Sequence, residues 1–206
     1  MTAVICLKRA RMWLTSGCYG KSFVSLLLGV QVALGLLFVG LATTRSDVLF
    51  LVAADGAHVL RQRLAKICRA LSINKASIEG NLHLLDASDL GPALHREQRG
   101  KGIMETPLLS ALATVVQQLD VGLVVVDNIS DAFDGNEIDR VQVRGFIRSL
   151  RSQIARPGRA VLLLAYINKE SAARGATPAQ RTTRARPPGT APCALDCRWC
   201  RLGLTA

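Results

Sequence analysis

Short apolar runs alternate along the chain with longer segments in which apolar residues recur every three or four positions. The runs lie at residues 47–53, 82–86, 121–127 and 160–166, and they have the length and continuous apolar character of strands buried on both faces. A weaker first strand is predicted within residues 1–14. The alternation predicts an α/β fold with a mostly parallel sheet and right-handed crossovers.

Amphipathic helices are predicted between these strands, at residues 57–71, 106–119 and 138–155, because their apolar positions fall on one side of a helix. Residues 91–102 are polar and charged and are predicted to form a loop. In the last helix the predicted buried residues are Val141, Val143, Phe146, Ile147, Leu150 and Ile154, and the residues predicted to face solvent are Arg140, Arg144, Arg148 and Arg151.

The segment TSGCYGKS, residues 15–22, ends in the Gly-Lys-Ser of a phosphate-binding loop. In such a loop, backbone N–H groups and a lysine ammonium hold nucleotide phosphates, and the hydroxyl binds Mg²⁺. The pattern G-x-x-x-x-G-K-[ST] requires glycine at the position of Thr15, where we expect a side chain to conflict with a left-handed turn. The predicted nucleotide-binding residues are Gly17, Cys18, Tyr19, Gly20, Lys21 and Ser22.

The apolar run at residues 121–127 ends in an acid, Asp127. In P-loop domains, an aspartate at the carboxyl end of a strand beside the P-loop strand holds the water shell of Mg²⁺. Such a run is a weak motif alone, but it follows the Gly-Lys-Ser at a suitable distance, with a strand and a helix between. The sequence therefore predicts a magnesium site formed by Ser22 and Asp127.

Residues 23–42 contain no charged side chain and are long enough to span a membrane as a helix. The basic residues before them suit a membrane anchor. The competing interpretation is a soluble domain in which this helix is buried against the sheet and ends at Gly35. We prefer the buried helix, and the membrane-anchored protein is the alternative.

The formal net charge of +11 favours a polyanionic partner or an anionic membrane surface, although arginines crowd residues 174–201. The six cysteines are irregularly spaced, as expected of reduced thiols. Cys193, Cys197 and Cys200 have the spacing of an iron–sulfur site of radical enzymes, but only six residues follow them, so a cluster or zinc site is disfavoured. His58, His83 and His95 have no metal-ligand spacing.

Taken together, these residues resemble the RecA-like AAA family ATPases, which include RepA-like hexameric replicative helicases of plasmids, phages and mobile elements. The resemblance spans residues 13–169. It is carried by Gly20-Lys21-Ser22, residues 48–51 with Ala54-Asp55, and residues 60–64, 124–131, 140–150 and 162–169. It implies a three-layer RecA-type core, ATP and Mg²⁺ as cofactors, a homo-oligomeric ring and a role in DNA replication or recombination. Together with the preferred buried helix at residues 23–42, a cytoplasmic protein is expected.

Two positions depart from the pattern of these ATPases. Their second strand ends in Ala-Glu-Asp, whose glutamate polarises the attacking water, and this chain has Ala54 at the position of that glutamate. A methyl group cannot accept a proton, so hydrolysis is expected to be impaired. A histidine that senses the γ-phosphate is replaced by Tyr166, which can still donate a hydrogen bond and is a candidate sensor.

The end of the chain also differs from the family. The related ATPases continue after the strand near Tyr166 into a segment like Ser-Gly-Ser-Thr-Ala-Trp-His, and GC-rich codons for it, read one base out of frame, give residues 184–197 almost throughout. We hypothesise that the reading frame shifts between residues 169 and 184. The expected organisation is a RecA-like core at residues 1–169, incomplete at its C-terminus, and a basic, disordered tail at residues 170–206. A degenerate fragment without function is a further alternative.

Overall fold

The computed structural model describes residues 11–16, 20–53, 56–88, 91–98, 102–137 and 139–167. The elements in chain order are β1 (Arg11–Ser16), α1 (Lys21–Leu34), β2 (Val48–Val52), α2 (Ala57–Ala70), a 3₁₀ turn (Lys75–Ser77), β3 (Leu82–Asp86), β4 (His95–Gln98), β5 (Gly102–Glu105), α3 (Pro107–Gln118), β6 (Leu123–Asp127), α4 (Ile129–Ala132), β7 (Phe133–Asp134), α5 (Arg140–Gln153) and β8 (Ala160–Ile167). Strands and helices alternate over most of this part of the chain, which confirms the predicted α/β class.

The central sheet has five strands in the order β1-β8-β6-β2-β3, and every neighbouring pair is parallel. Among the described residues, β1 and β3 form the two edges. A parallel sheet needs covering on both faces, which explains why β2 and the first four residues of β6 are continuous apolar runs, and every residue of both strands is buried. The mostly parallel sheet predicted from those runs is confirmed.

Helices cover both faces of the sheet and complete a three-layer sandwich. Successive residues of β2 alternate between two cores: Phe50 packs with apolar residues of α1 and α2, whereas Leu49 and Leu51 pack with those of α3 and α5. This alternation follows from the two-residue period of a strand. Full burial of one such side chain contributes roughly 1.5–3 kcal/mol, so the two cores fix which helix lies on which face.

The apolar segment at residues 23–42 forms most of α1, which ends at Gly35. Gly35 has φ 70°, a left-handed conformation that terminates helices, and its N–H donates to the carbonyl of Val32. Leu26 and Val30 on α1 are completely buried against the sheet, as the preferred interpretation predicted. Within the described ranges, no helix combines the length and apolar character that a membrane crossing requires.

A second, three-stranded sheet has the order β5-β4-β7. Its strands β4 and β5 lie largely within residues 91–102 and just after them, so the predicted loop is wrong. The sequence HREQ of β4 has a single buried residue, His95, and therefore lacks the apolar alternation that identifies strands. β4 is held instead by backbone pairing with β5 and β7, which its composition does not predict.

Helix α5 has the predicted apolar face, with one exception. Phe146, Leu150 and Ile154 are buried, whereas Val141 is 78% exposed, so its predicted burial is wrong. Helix α5 begins at Arg140, directly after its N-cap Asp139. Val141 therefore lies in the first turn, before the turns that carry Phe146 and Leu150. The four arginines of α5 face solvent as predicted.

Candidate nucleotide-binding site

The candidate site lies at the edge of the sheet where the parallel strands end. Helix α1 begins with Lys21 just after β1, and Asp127 is the last residue of β6. β8 lies between β1 and β6, so the prediction that the strand of Asp127 is directly beside the P-loop strand is wrong. β8 comes last in the described chain and inserts between them, and local sequence carries no signal for that insertion.

The N-terminus of α1 is suited to an anion. Its N-cap, Gly20, has φ 69° and ψ 21°, a left-handed conformation that costs little without a side chain. A Cβ at Gly20 would meet nothing within 4 Å, so the space beside it is open. No side chain among the described residues caps α1, and the same is true of α2 and α3, whereas Asn128 and Asp139 cap α4 and α5. The N–H groups and dipole of the first turn therefore suit a phosphate.

Lys21 and Ser22 occupy the first turn of α1. Lys21 is 5% exposed, and Ser22 is half-buried. The hydroxyl of Ser25 donates to the carbonyl of Ser22 at 3.1 Å, which supports the turn from within. The predicted phosphate-binding residues Gly17, Cys18 and Tyr19 lie outside the described residues.

Asp127 is buried at the end of β6 with 7% of its surface exposed. Its carbonyl accepts a hydrogen bond of 2.7 Å from the N–H of Ala53, which ties the end of β2 to the end of β6. Lys21, Ser22 and Asp127 are thus placed at one edge of the sheet by elements far apart in the chain. An ammonium, a hydroxyl and a carboxylate are the groups that a magnesium–phosphate ligand requires.

Asp86 is a candidate that sequence reasoning missed. It ends β3 in the same register row as Asp127, because Val52 of β2 pairs with Asp86 on one side and with Asp127 on the other. With strands about 4.8 Å apart, its backbone lies about 10 Å from that of Asp127. Both strands end in aspartate after mostly apolar residues, LHLL in β3 and LVVV in β6, which is the signal that could have identified Asp86.

Asn128 was also missed, and its role is to position the chain after Asp127. It is 4% exposed, and its side chain accepts a hydrogen bond from the N–H of Asp131 at 3.0 Å, which caps α4. The segment Asn-Ile-Ser-Asp has the spacing of an asparagine N-cap, a signal that the sequence does contain. The cap directs the backbone away from the sheet immediately after the candidate magnesium ligand.

The expected conflict at Thr15 is not found. Thr15 belongs to β1, where it pairs with Tyr166 of β8 in parallel register. Positive φ angles among the described non-glycine residues occur at Val39, Ser72 and Asp120, so Thr15 needs no left-handed backbone. A β-branched residue such as threonine suits a strand.

Of the two catalytic positions identified in the sequence, Tyr166 lies in the part of the chain that the structure describes. Position 54 follows Ala53, whose N–H is bonded to the carbonyl of Asp127. Ala54 and Asp55 themselves lie outside the described residues. The backbone of Tyr166 belongs to β8, next to the P-loop strand, which is where a residue that contacts the phosphates belongs.

One polar cluster lies away from this edge. At the amino ends of β2 and β3, Asp47 accepts a hydrogen bond of 2.6 Å from Asn81 and lies 3.1 Å from Nε2 of His83. Burial alone would raise the pKa of Asp47, but the hydrogen bonds from Asn81 and His83 and the charges of His83 and Arg45 outweigh it and lower the pKa. This cluster joins the two strands.

No group of three metal-binding side chains occurs in the described part of the chain. Cys193, Cys197 and Cys200 lie outside it. Cys68 is buried, and its burial raises the pKa of the thiol, so it is an unreactive core residue.

The three layers, the Gly-Lys-Ser at the start of α1 and the strand-end Asp127 define a RecA-like P-loop ATPase domain. The chain belongs to the AAA_25 family, whose model, described as an AAA domain, matches residues 7–172. The predicted resemblance to RecA-like AAA ATPases is thereby confirmed at the level of the family.

Comparison with solved structures finds, among others, a KaiC-like protein from the hyperthermophilic archaeon Pyrococcus horikoshii OT3. The two chains are 14% identical with a TM-score of 0.49, and the match covers 77% of this chain. The chain spans 61% of the length of that protein. No curated protein matches this chain.

Proposed function

We propose that this domain binds ATP together with Mg²⁺ at the carboxyl edge of its sheet. The observation that carries the proposal is that Lys21 and Asp127, far apart in the sequence, are both buried at this edge. Lys21 would hold the β- and γ-phosphates, and the N–H groups around Gly20 would hold the phosphate oxygens. The proposed nucleotide-binding residues are Gly17, Cys18, Tyr19, Gly20, Lys21 and Ser22.

The residues present fit a magnesium ion. Mg²⁺ prefers oxygen ligands and keeps several of its waters, and the edge offers the hydroxyl of Ser22 and the carboxylate of Asp127. Ser22 would contact the ion, and Asp127 would order its water shell. When bound, the ion would neutralise charge on the phosphates. Asp127 is tied through its carbonyl to Ala53, so its backbone position is fixed before any ion arrives.

We propose that the domain hydrolyses ATP poorly. Position 54 follows directly after the Ala53–Asp127 hydrogen bond, and in the related ATPases a glutamate at this position polarises the attacking water. A methyl group has no lone pair with which to accept a proton, and a general base typically contributes 10²–10⁴-fold to a rate. Tyr166 is proposed as the group that senses the γ-phosphate, since β8 runs beside the P-loop strand.

The nucleotide proposal is tested by titrating the full chain with a fluorescent ATP analogue in the presence and absence of Mg²⁺. Lys21→Ala should abolish the magnesium-dependent binding because the ammonium that faces the phosphates is gone. Lys66→Ala is the matched control, since Lys66 is an exposed lysine on α2, and it should bind like the wild type. Absence of binding by the wild type, or equal binding by Lys21→Ala, would refute the proposal.

We further propose that this ATPase domain is of the kind found in hexameric replicative DNA helicases and acts as a homo-oligomeric ring on DNA. The resemblance of residues 13–169 to RepA-like helicases supports this relation, and the family match supports the ATPase domain on which it rests. Mass photometry with and without MgATP tests the assembly. A ring should appear with MgATP, and single chains under both conditions would contradict it.

The ATPase domain is proposed to comprise residues 1–169, with residues 170–206 outside it. The family match ends at residue 172, which supports a boundary near this point. The arginine-rich composition of the segment after it agrees with the proposed change of reading frame. The nucleotide sequence that encodes residues 169–200 tests this proposal, which fails if the alternative frame contains no Ser-Thr-Ala-Trp-like segment.

A further inference from the structure

Four arginines form one row along α5. The arginine row consists of Arg140, Arg144, Arg148 and Arg151, all exposed and spaced by four, four and three residues. At 100° per residue they lie within about 80° of one another around the helix, and they extend about 16 Å along its axis. The opposite side of α5 is fixed in the core by Phe146 and Leu150, which are completely buried. The row therefore faces solvent on a helix that cannot rotate.

No carboxylate neutralises the arginine row within the described part of the chain. Helix α5 contains no acidic residue. Its N-cap, Asp139, accepts hydrogen bonds from the N–H groups of Val141 and Gln142. Glu105, on the neighbouring β5, accepts hydrogen bonds from Ser149 and Gln153 of α5. The ion pairs found in the described residues involve Asp47, Asp120 and Asp134, and none includes an arginine of the row.

The other long helix on this face of the sheet adds no charge of either sign. Helix α3, which covers the same face of the sheet, has the sequence PLLSALATVVQQ and carries no charge. Like charges at i and i+4 repel by roughly 0.2–0.5 kcal/mol per pair, and the row contains two such pairs. The described structure offers these charges no compensating partner.

Helix α2, on the opposite face, provides an internal comparison. Its exposed cations Arg61, Lys66 and Arg69 are spread over about 140° around the helix, so they form no single row. The positive charge of α2 is thus dispersed, whereas that of α5 is aligned.

We infer that the arginine row binds the phosphate backbone of duplex DNA. Phosphates of one strand recur every 3.4 Å along the duplex axis, so a row of about 16 Å faces roughly five of them. Phe146, the aromatic residue of α5, is buried, so the helix offers no surface for stacking bases and favours binding to phosphates alone. The choice of DNA as the partner rests on the proposed function of the domain. The alignment of the four charges is an observation that does not depend on that proposal.

A membrane surface fits the row less well. An interfacial helix places its apolar side in the lipid, and the apolar side of α5 is occupied by the domain core. Beside the arginines, α5 exposes Val141 as its large apolar residue. The helix therefore offers lipids charge without the apolar area that would anchor it.

Two charge-matched triple variants of the full chain test the inference. The row variant carries Arg144→Gln, Arg148→Gln and Arg151→Gln, and the control carries Arg61→Gln, Lys66→Gln and Arg69→Gln. All six side chains are exposed, and both variants lose three positive charges. Binding of a short fluorescent duplex of mixed sequence is measured by anisotropy at several salt concentrations, and binding of a fluorescent ATP analogue is measured in parallel.

The row variant should bind the duplex at least about tenfold more weakly than the control. Its slope of log K against log salt should be smaller by about 2.7, or about 0.9 for each arginine that no longer neutralises a phosphate. Equal weakening of both variants would show that net charge alone matters and would overturn the inference, as would unchanged binding by the row variant. Selective loss of binding to phosphatidylserine vesicles, with duplex binding retained, would overturn it in favour of a membrane. ATP binding should be normal in both variants, so failure of the nucleotide proposal would appear separately in the wild type.

Discussion

The proposed loss of hydrolytic activity depends on a single side chain, Ala54, which follows Ala53 in the sequence. The N–H of Ala53, the residue just before it, donates a hydrogen bond to the carbonyl of Asp127 at the end of β6. A methyl group at position 54 cannot accept a proton from water, whereas the proposed binding of MgATP does not use this side chain. Binding and hydrolysis should therefore be separable in this protein.

Ala54→Glu should raise the rate of ATP hydrolysis about 10²-fold or more, because it supplies the general base that the related ATPases carry at this position. ATP affinity should change little, since this carboxylate acts on the attacking water. Phosphate release under single-turnover conditions measures the effect. Adding Lys21→Ala should remove the gain, and a variant that binds ATP without faster hydrolysis would contradict this role for position 54.

His95 is a buried titratable residue outside the candidate site. It is 3% exposed, its ring meets that of Phe146 edge to face at 5.1 Å, and its Nδ1 has no hydrogen-bond partner among the described residues. Burial lowers its pKa below the ordinary value of 6.5, although the charge of Glu105 opposes this. The folded state therefore favours the neutral imidazole.

The free energy of unfolding should consequently fall as the pH drops below about 6.5, because the unfolded state then binds a proton that the folded state resists. A single group contributes at most about 1.4 kcal/mol per pH unit, down to the lowered folded-state pKa. Urea unfolding between pH 7 and pH 5 measures this slope. His95→Leu should flatten it in that window, and an unchanged slope would show that another group is responsible. The pKa of Asp47 is also lowered. The contribution of this carboxylate to the free energy of unfolding is lost only below its ordinary pKa of 3.8.

At the level of elements, the sequence predicted what local periodicity encodes. The apolar runs correspond to β2, β3, β6 and β8. Helix α1 ends at Gly35, because the lack of a side chain permits a left-handed conformation there. Strand β4 was missed because HREQ carries no apolar alternation and is held by its partners β5 and β7. Pairing of this kind is a tertiary effect that a local pattern does not contain.

Helix α5 offers a direct test of how far periodicity determines burial. Phe146 and Val141 were both assigned to its apolar face, and the structure buries the first and exposes the second. Phe146→Ala should lower the free energy of unfolding by about 3–5 kcal/mol, because it leaves a cavity against Leu150 and Phe133. Val141→Ala should change it by less than about 0.5 kcal/mol. Chemical denaturation measures both, and similar losses would contradict the observed orientation of α5.

At the scale of the whole molecule, the candidate site depends on strand order. Lys21, Ser22 and Asp127 could be found from motifs, because each has a characteristic residue type beside a strand or helix end. The insertion of β8 between β1 and β6, and the alignment of Asp86 with Asp127, could not be found. These features arise from pairing between distant segments, and strand order has no local signature.

The central claim is that MgATP binds where α1 begins and β6 ends. Hydrogen exchange followed by mass spectrometry tests its location directly, since a bound phosphate should protect the N–H groups at the start of α1. We predict that MgATP slows exchange at residues 20–24 and 128–132 and leaves residues 150–159 unchanged, and that Lys21→Ala abolishes this protection. Unaltered exchange at both segments of the wild type, or equal protection in Lys21→Ala, would contradict the account.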